Sequence, residues 1–207
     1  MTEEVFQKGR MLPVIEEFYT LQGEGFHTGK PAYFIRVGGC DIGCSWCDSK
    51  YSWNFEVDQL VATDELVVRC LQYPSKAVVV TGGEPLLYPL DYLTRKLKSV
   101  GIQTFIETSG AHPLTGQWDW ICLSPKRQSP PYPDLLPKAG ELKVIIENSE
   151  DFLWAEENAK LVSADCHLFL QPEWSKRAIM TDRVIEYVKS NPAWRLSIQT
   201  HKYIGIP

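Results

Sequence analysis

The chain lacks any apolar run near the roughly 18–20 residues that a membrane span requires, and it has no internal repeat and no low-complexity block. It also lacks an excess of positive charge. The 21 basic and 26 acidic side chains give a formal net charge of −5 over 207 residues. Such a chain is not built to grip a nucleic-acid backbone, so neither direct nucleic-acid binding nor membrane insertion is expected. Six cysteines are too few for a disulfide scaffold. Glu3 and Glu4 stand where a signal peptide would carry lysines ahead of an apolar stretch, and a cytoplasmic address is expected. What remains is ordinary globular composition, 44% hydrophobic and 23% charged, in a length that suits one domain over residues 1–207.

Short apolar runs alternate with helical patterns along most of the chain. The runs predict strands over residues 14–20, 33–37, 77–80, 104–106, 120–123, 142–146, 168–170 and 195–198. Helices are predicted over 64–72 with Thr63 as N-cap, 90–100, 151–161, and 182–190 opened by Thr181. Residues 128–137 are rich in proline and read as a loop. Alternating strands and helices imply parallel pairing. With fewer helices than strands, the expected fold is a trimmed, partial (β/α) barrel. Nearly every predicted strand ends in glycines or hydrogen-bonding residues: Gly38-Gly39-Cys40, Thr81-Gly82-Gly83-Glu84, Glu107-Thr108-Ser109, Ser124-Pro125-Lys126 and Gln171-Pro172-Glu173. In parallel α/β folds those ends build the active site.

Half of the cysteines crowd into one segment, Cys40-x3-Cys44-x2-Cys47. Cys70, Cys122 and Cys166 are scattered and read as small buried hydrophobes. In a reducing compartment a cluster of thiols points to metal ligation. A structural zinc site wants a fourth ligand, and neither His27 nor His112 completes a zinc pattern. Three thiolates suit a 4Fe–4S cluster with one iron left open.

The spacing, with Trp46 ahead of the third cysteine, resembles the radical S-adenosylmethionine enzymes. In that family the open iron binds the amino and carboxylate groups of S-adenosylmethionine, and electron transfer splits the sulfonium to a 5′-deoxyadenosyl radical. Gly82-Gly83-Glu84-Pro85, behind a predicted strand, resembles the family's motif for the cofactor's amino group, with close-approach glycine backbone and a carboxylate to receive the ammonium.

Finer marks are Phe18-Tyr19-Thr20-Leu21-Gln22-Gly23-Glu24-Gly25, Arg36, Cys47-Asp48-Ser49 and Ser124-Pro125-Lys126. From about Val14 to the C-terminus they resemble the 7-carboxy-7-deazaguanine synthases of queuosine and 7-deazapurine biosynthesis. That resemblance implies contraction of 6-carboxy-5,6,7,8-tetrahydropterin with loss of ammonia, S-adenosylmethionine being regenerated and Mg2+ required. It implies a homodimer served by a flavodoxin- or ferredoxin-like reductant. It also implies residue roles. Leu21, Gln22 and Gly23 read the pterin edge, Arg36 offers a planar fork to the substrate carboxylate, and Thr81 and Pro207 contact the substrate. Ser49 supplies a hydroxyl to Mg2+. Trp46, Cys47, Asp48, Gly83, Glu84, Ser124, Pro125, Lys126, Gln171, Pro172, Glu173 and Trp174 surround S-adenosylmethionine, and Cys40, Cys44 and Cys47 hold the cluster. No residue is assigned to catalysis beyond cluster and cofactor.

A glycyl-radical activating enzyme would share the cysteine spacing and the Gly-Gly-Glu-Pro segment, but it leaves residues 21–25, Arg36 and Ser49 without a purpose. An electron carrier or a zinc-stabilised binding module would need no Gly-Gly-Glu-Pro at all. The segment after residue 198 is expected to run from the mouth of the site to Pro207 without a further helix, carrying enough apolar residues to pack.

Overall fold

The computed structural model describes residues 8–207. Residues 1–7, with Glu3 and Glu4, lie outside the described residues. The strands are β1 (Met11–Leu21), β2 (Pro31–Val37), β3 (Leu60–Ala62), β4 (Ala77–Gly82), β5 (Gln103–Thr108), β6 (Trp120–Leu123), β7 (Glu141–Ile146), β8 (His167–Pro172) and β9 (Trp194–Leu196). They join in one sheet in the order 3-1-2-4-5-6-7-8-9. From β2 to β9 every neighbouring pair is parallel, whereas β1 runs antiparallel to both β2 and β3. Helices α1 (Thr63–Cys70), α2 (Asp91–Ser99), α3 (Glu150–Ala159) and α4 (Arg177–Ser190) lie on the crossovers, and α5 (Thr200–Ile204) follows β9. The β5–β6 and β6–β7 crossovers carry no α-helix, which is where the fold is trimmed.

Both faces of the parallel strands are apolar, as expected of strands covered on each side. Along β4, Val78 and Val80 join a large core with Leu66 and Val67 of α1, Leu93 and Leu97 of α2, Ala155 of α3, and Met180 and Val184 of α4. Each fully buried aliphatic chain of this kind contributes about 1.5–3 kcal/mol. The alternate residues Ala77 and Val79 join a smaller cluster with Phe34 and Phe105 on the opposite face. Two places further along each strand that inner face turns polar: Phe34 is followed by Arg36, Val79 by Thr81 and Phe105 by Glu107. A period of two therefore puts a polar layer directly above an apolar one.

Three local expectations are corrected, and one short strand had none. Thr63 is the first residue of α1 rather than its N-cap, and its buried hydroxyl donates to Gly9 O at 2.7 Å. Helix α4 begins at Arg177, so Thr181 lies inside it, because a 3-10 turn at Trp174–Lys176 leads directly into the helix. The tail does contain a helix, α5. The edge strand β3, only three residues long, carried no periodic signal.

Candidate active site

The polar layer surrounds a cavity of about 460 Å3 at the C-terminal ends of the parallel strands. Its wall includes Leu21, Gln22, Gly23, Arg36, Thr81 and Pro207, the three clustered cysteines with Trp46, Asp48 and Ser49, and Gly83 and Glu84. Ser124, Lys126, Gln171, Pro172, Glu173 and Trp174 complete the set expected from sequence. Pro125 does not line the cavity. It is buried just past the end of β6, whereas Ser124 and Lys126 on either side reach the cavity wall.

The wall beside β2 and β4 is made of backbone. Parallel register sets Val37 beside Gly82, and the chains stay bonded past the strand ends. The Gly83 N–H donates to Val37 O at 3.0 Å and the Glu84 N–H to Gly39 O at 2.8 Å. A Cβ on Gly82 would stand 2.2 Å from Val37 O, and one on Gly83 would stand 2.1 Å from Gly39 O. These glycines are needed for the two loops to touch. Behind the cysteines, Gly39 N–H donates to Ser52 O at 2.9 Å and Cys40 N–H to Trp53 O at 3.1 Å. The aromatic stretch after Cys47 thus backs the loop through its main chain, with Tyr51 and Trp53 also reaching the cavity wall.

Glu84 is almost wholly buried, and both of its oxygens are engaged. One accepts from Thr108 Oγ1 at 2.5 Å and Leu86 N at 3.0 Å; the other accepts from Ser109 Oγ at 2.5 Å and Ser109 N at 2.9 Å. A carboxylate has about four acceptor positions, so these contacts saturate it. That corrects the expectation of a carboxylate open to an ammonium: Glu84 locks the end of β5 to the glycine loop. Glu173 is similar, accepting from Ser175 N at 2.9 Å, Ser175 Oγ at 2.5 Å and Lys176 N at 3.1 Å, and so capping the turn before α4.

The opposite wall is a chain of charges that sequence reasoning missed. Lys143, on β7 and 4% exposed, pairs with Glu24 and lies 3.6 Å from Glu107. Gln22 donates its amide to Glu107 at 2.8 Å. Gln199 donates to Glu24 and to Asp48, each at 2.9 Å, and Lys202 pairs with Asp48. Thr200 N–H donates to Gly23 O at 2.9 Å. The tail is thereby tied to the end of β1 and to the cysteine loop at once. Trp174 is covered by Arg177, 4.0 Å from its ring centroid, and by Lys202 at 4.8 Å. Arg36 uses Nε to meet Glu16 at 2.6 Å, and Tyr51 donates to the same carboxylate oxygen at 2.8 Å. The available signal was Lys143 itself, a lysine running into the apolar Val144-Ile145-Ile146 of a largely buried strand.

Protonation follows from these neighbours. Burial alone would raise the Glu24 carboxyl, but Lys143 and Gln199 hold it at about 2. Burial would lower Lys143, yet Cys122 and the carboxylates of Glu107, Glu24 and Glu141 hold it well above the ordinary lysine value. Asp48 stays below the usual carboxylate range, since Lys202 and Gln199 outweigh its burial.

The three clustered thiols stand on one wall of the cavity. Burial pushes Cys40 and Cys44 up, so they are protonated until a metal replaces the proton. Among the described residues, no three His, Cys, Asp or Glu side chains are placed to hold a single ion. A donor set of three thiols on one loop, with no fourth ligand beside them among those residues, suits a 4Fe–4S cluster. Cys70, Cys122 and Cys166 are buried away from this loop.

A trimmed parallel sheet with three cysteines on the first loop and a glycine loop bonded across from it defines the radical S-adenosylmethionine class, a partial (β/α) barrel. Residues 34–123 match the radical SAM superfamily. The 7-carboxy-7-deazaguanine synthase of Flavobacterium psychrophilum is 55% identical over 201 residues, 97% of this chain and 95% of that protein. The synthase of the same name from Synechocystis is 47% identical over 194 residues, 94% of this chain and 93% of that protein. The crystal structure of QueE from Escherichia coli matches with a TM-score of 0.83 at 32% identity, covering 97% of this chain and 99% of that one. The chain belongs to the 7-carboxy-7-deazaguanine synthase family. The superfamily implies a 4Fe–4S cluster and S-adenosylmethionine as cofactors.

Proposed function

We infer that the chain converts 6-carboxy-5,6,7,8-tetrahydropterin to 7-carboxy-7-deazaguanine with release of ammonia, as a carbon–nitrogen lyase of queuosine and 7-deazapurine biosynthesis. One observation carries the reading: a single cavity holds both the three-thiol loop and a set of groups suited to a flat, carboxylated heterocycle. Cys40, Cys44 and Cys47 would hold the cluster, which with bound S-adenosylmethionine supplies one-electron cleavage of the sulfonium and so the radical that starts the reaction. The residues of the chain bind and orient. Arg36 meets Glu16 through Nε, so its terminal nitrogens are the fork for the substrate carboxylate. Gln22, fixed by Glu107 at 2.8 Å, and the backbone of residues 21–23 offer donors and acceptors to the pterin edge. Lys143 lies on the same cavity wall with its charge taken up by Glu24 and Glu107, so it fixes those carboxylates, and through Glu107 the Gln22 amide, in place. Thr81 and Pro207 border the same space.

Ser49 is the proposed ligand for Mg2+. Its hydroxyl lies 3.6 Å from Cys47 Sγ on the cavity wall, and a neutral oxygen beside substrate oxygens suits a hard cation. The reading also carries a flavodoxin- or ferredoxin-like electron donor, a homodimer, one domain over the whole chain, no direct nucleic-acid partner and a cytoplasmic location. No helix among the described residues is long and apolar enough to cross a membrane.

The test is anaerobic reconstitution with iron and sulfide, then incubation with S-adenosylmethionine, dithionite and the carboxytetrahydropterin, followed by mass spectrometry. 7-Carboxy-7-deazaguanine and ammonia are expected together. Deoxyadenosine without that product would move the chain to the activating-enzyme reading, and no cofactor cleavage at all would leave an electron carrier.

A further inference from the structure

The proline-rich segment after β6 has no place in the reading so far, yet it touches the cluster loop. Gln128 donates its side-chain N–H to Cys44 Sγ at 3.3 Å, across 84 positions of sequence. The other two thiols find their partners locally: Cys40 accepts from the backbone N–H groups of Ile42 and Gly43, and Cys47 has the Ser49 hydroxyl at 3.6 Å. Among the described residues, Cys44 alone of the three receives its donor from a distant part of the chain.

The contact is aimed by its surroundings. Ser129 N–H donates to Lys126 O at 3.1 Å, closing a tight turn with Gln128 inside it. One residue before, Arg127 donates to Asp151 at 3.1 Å and to Glu150 O at 2.8 Å. Four residues after, Tyr132 N–H donates to Gly110 O at 2.7 Å, and Leu135 beyond it is fully buried. The turn is pinned on both sides, and Cys44 itself is buried, so the bond lies where solvent screens it poorly.

We propose that Gln128 sets the reduction potential of the cluster held by Cys40, Cys44 and Cys47, by donating its side-chain N–H to the Cys44 sulfur. An electron added to such a cluster places more negative charge on its sulfurs, and an N–H aimed at one of them stabilises the reduced state more than the oxidised one. Gln128 therefore raises the potential and eases the electron's entry. It touches neither substrate nor S-adenosylmethionine in this role; it is a positioning residue acting through Cys44. The inference rests on the cluster assignment made above.

The experiment is an EPR-monitored redox titration, without S-adenosylmethionine, of reconstituted wild type, Gln128→Leu and Gln128→Lys. Iron and sulfide content are measured on each sample. In Gln128→Leu the ratio of reduced to oxidised cluster at a fixed applied potential is expected to fall three- to tenfold, with full iron content. In Gln128→Lys, which keeps N–H donors on a chain of similar reach, the ratio is expected to equal or exceed that of wild type. A fully loaded Gln128→Leu protein that titrates like wild type overturns the proposal and leaves Gln128 as a tie between two loops. Lowered loading of Gln128→Leu, with an unchanged potential in the loaded fraction, overturns it equally. A wild-type protein that takes up no cluster instead overturns the cluster assignment, and the two failures are told apart by the iron content.

Discussion

The two walls of the cavity are made differently. Beside β2 and β4, main chain meets main chain: the Gly83 and Glu84 N–H groups bond the cysteine loop, and glycines allow the approach. Across from them, Lys143, Glu24, Glu107, Asp48 and Lys202 hold one another through side-chain charge, with the Gln199 amide bridging Glu24 and Asp48. The first wall keeps its shape through fixed backbone geometry and is insensitive to protonation. The second depends on its lysines and carboxylates remaining ionised, because a buried charge that loses its partner is expensive.

The largest effect should fall on the backbone wall without unfolding it. Cys40→Ala, Cys44→Ala or Cys47→Ala should each abolish cluster binding, read as iron content and visible charge-transfer absorbance, while leaving the unfolding midpoint near wild type. Cys70→Ala, Cys122→Ala and Cys166→Ala should retain the iron and lose only stability. A Cys47→Ala protein that keeps its cluster would remove the distinction between the two sets.

On the charged wall the order reverses, and stability is what fails. Lys143→Met leaves Glu24 and Glu107 without their buried cation and should cost about 3–5 kcal/mol in urea unfolding. A Lys143→Met/Glu24→Gln double variant should recover part of that loss. The pH dependence follows in sign. Glu24 sits at about 2 in the folded protein against an ordinary value of 4.5, so its contribution is complete above pH 4.5 and disappears as the pH falls toward 2. Wild type should lose stability through that window, and the double variant should lose less. Equal acid profiles would show that the pair contributes nothing.

Glu84 is the exception that sharpens the comparison, a charged group inside the backbone wall. Glu84→Gln presents an amide N to groups that donate, and should cost about 1–3 kcal/mol by thermal or chemical denaturation. No change in stability would mean that the glycine loop is held by its backbone bonds alone.

The smallest effect concerns whether the charged wall reaches the substrate. Deleting residues 203–207 removes Pro207 from the cavity lining but keeps Gln199 and Lys202. The truncated protein should fold and cleave S-adenosylmethionine without substrate, yet show a KM for the carboxytetrahydropterin raised tenfold or more, about 1.4 kcal/mol. An unchanged KM would reduce the tail to packing.

The same contrast explains what could be read in advance. The backbone wall was legible because glycine and cysteine leave fixed spacings, and the mostly parallel pairing followed from apolar runs alternating with helical patterns. The charged wall left none. Lys143 is one residue in Glu141–Ile146, and its partners come from β1, β5 and the tail, so nothing local announces the set. The five residues of α5 are too few to show helical periodicity. Residue type identified Glu84 as a carboxylate in the loop, but could not tell that Thr108 and Ser109 would occupy it. Thr63 and Thr181 have the chemistry of an N-cap, yet the first bonds Gly9 and the second lies within α4.

The cysteine loop has one further property, the room it leaves for change in chain length. Residues 37–40 form a strap bonded on both sides, to Gly83 and Glu84 in front and to Ser52 and Trp53 behind. One added residue there would slide the first thiol off its anchor. The span from Cys40 to Cys44 differs at one point: apart from its own chain neighbours, no described heavy atom lies within 4 Å of where a Cβ on Gly43 would stand. A residue added at Gly43 would enter open space, and its cost is the pair of N–H bonds that Ile42 and Gly43 make to the Cys40 sulfur, so the loop can lengthen here only where new donors replace them.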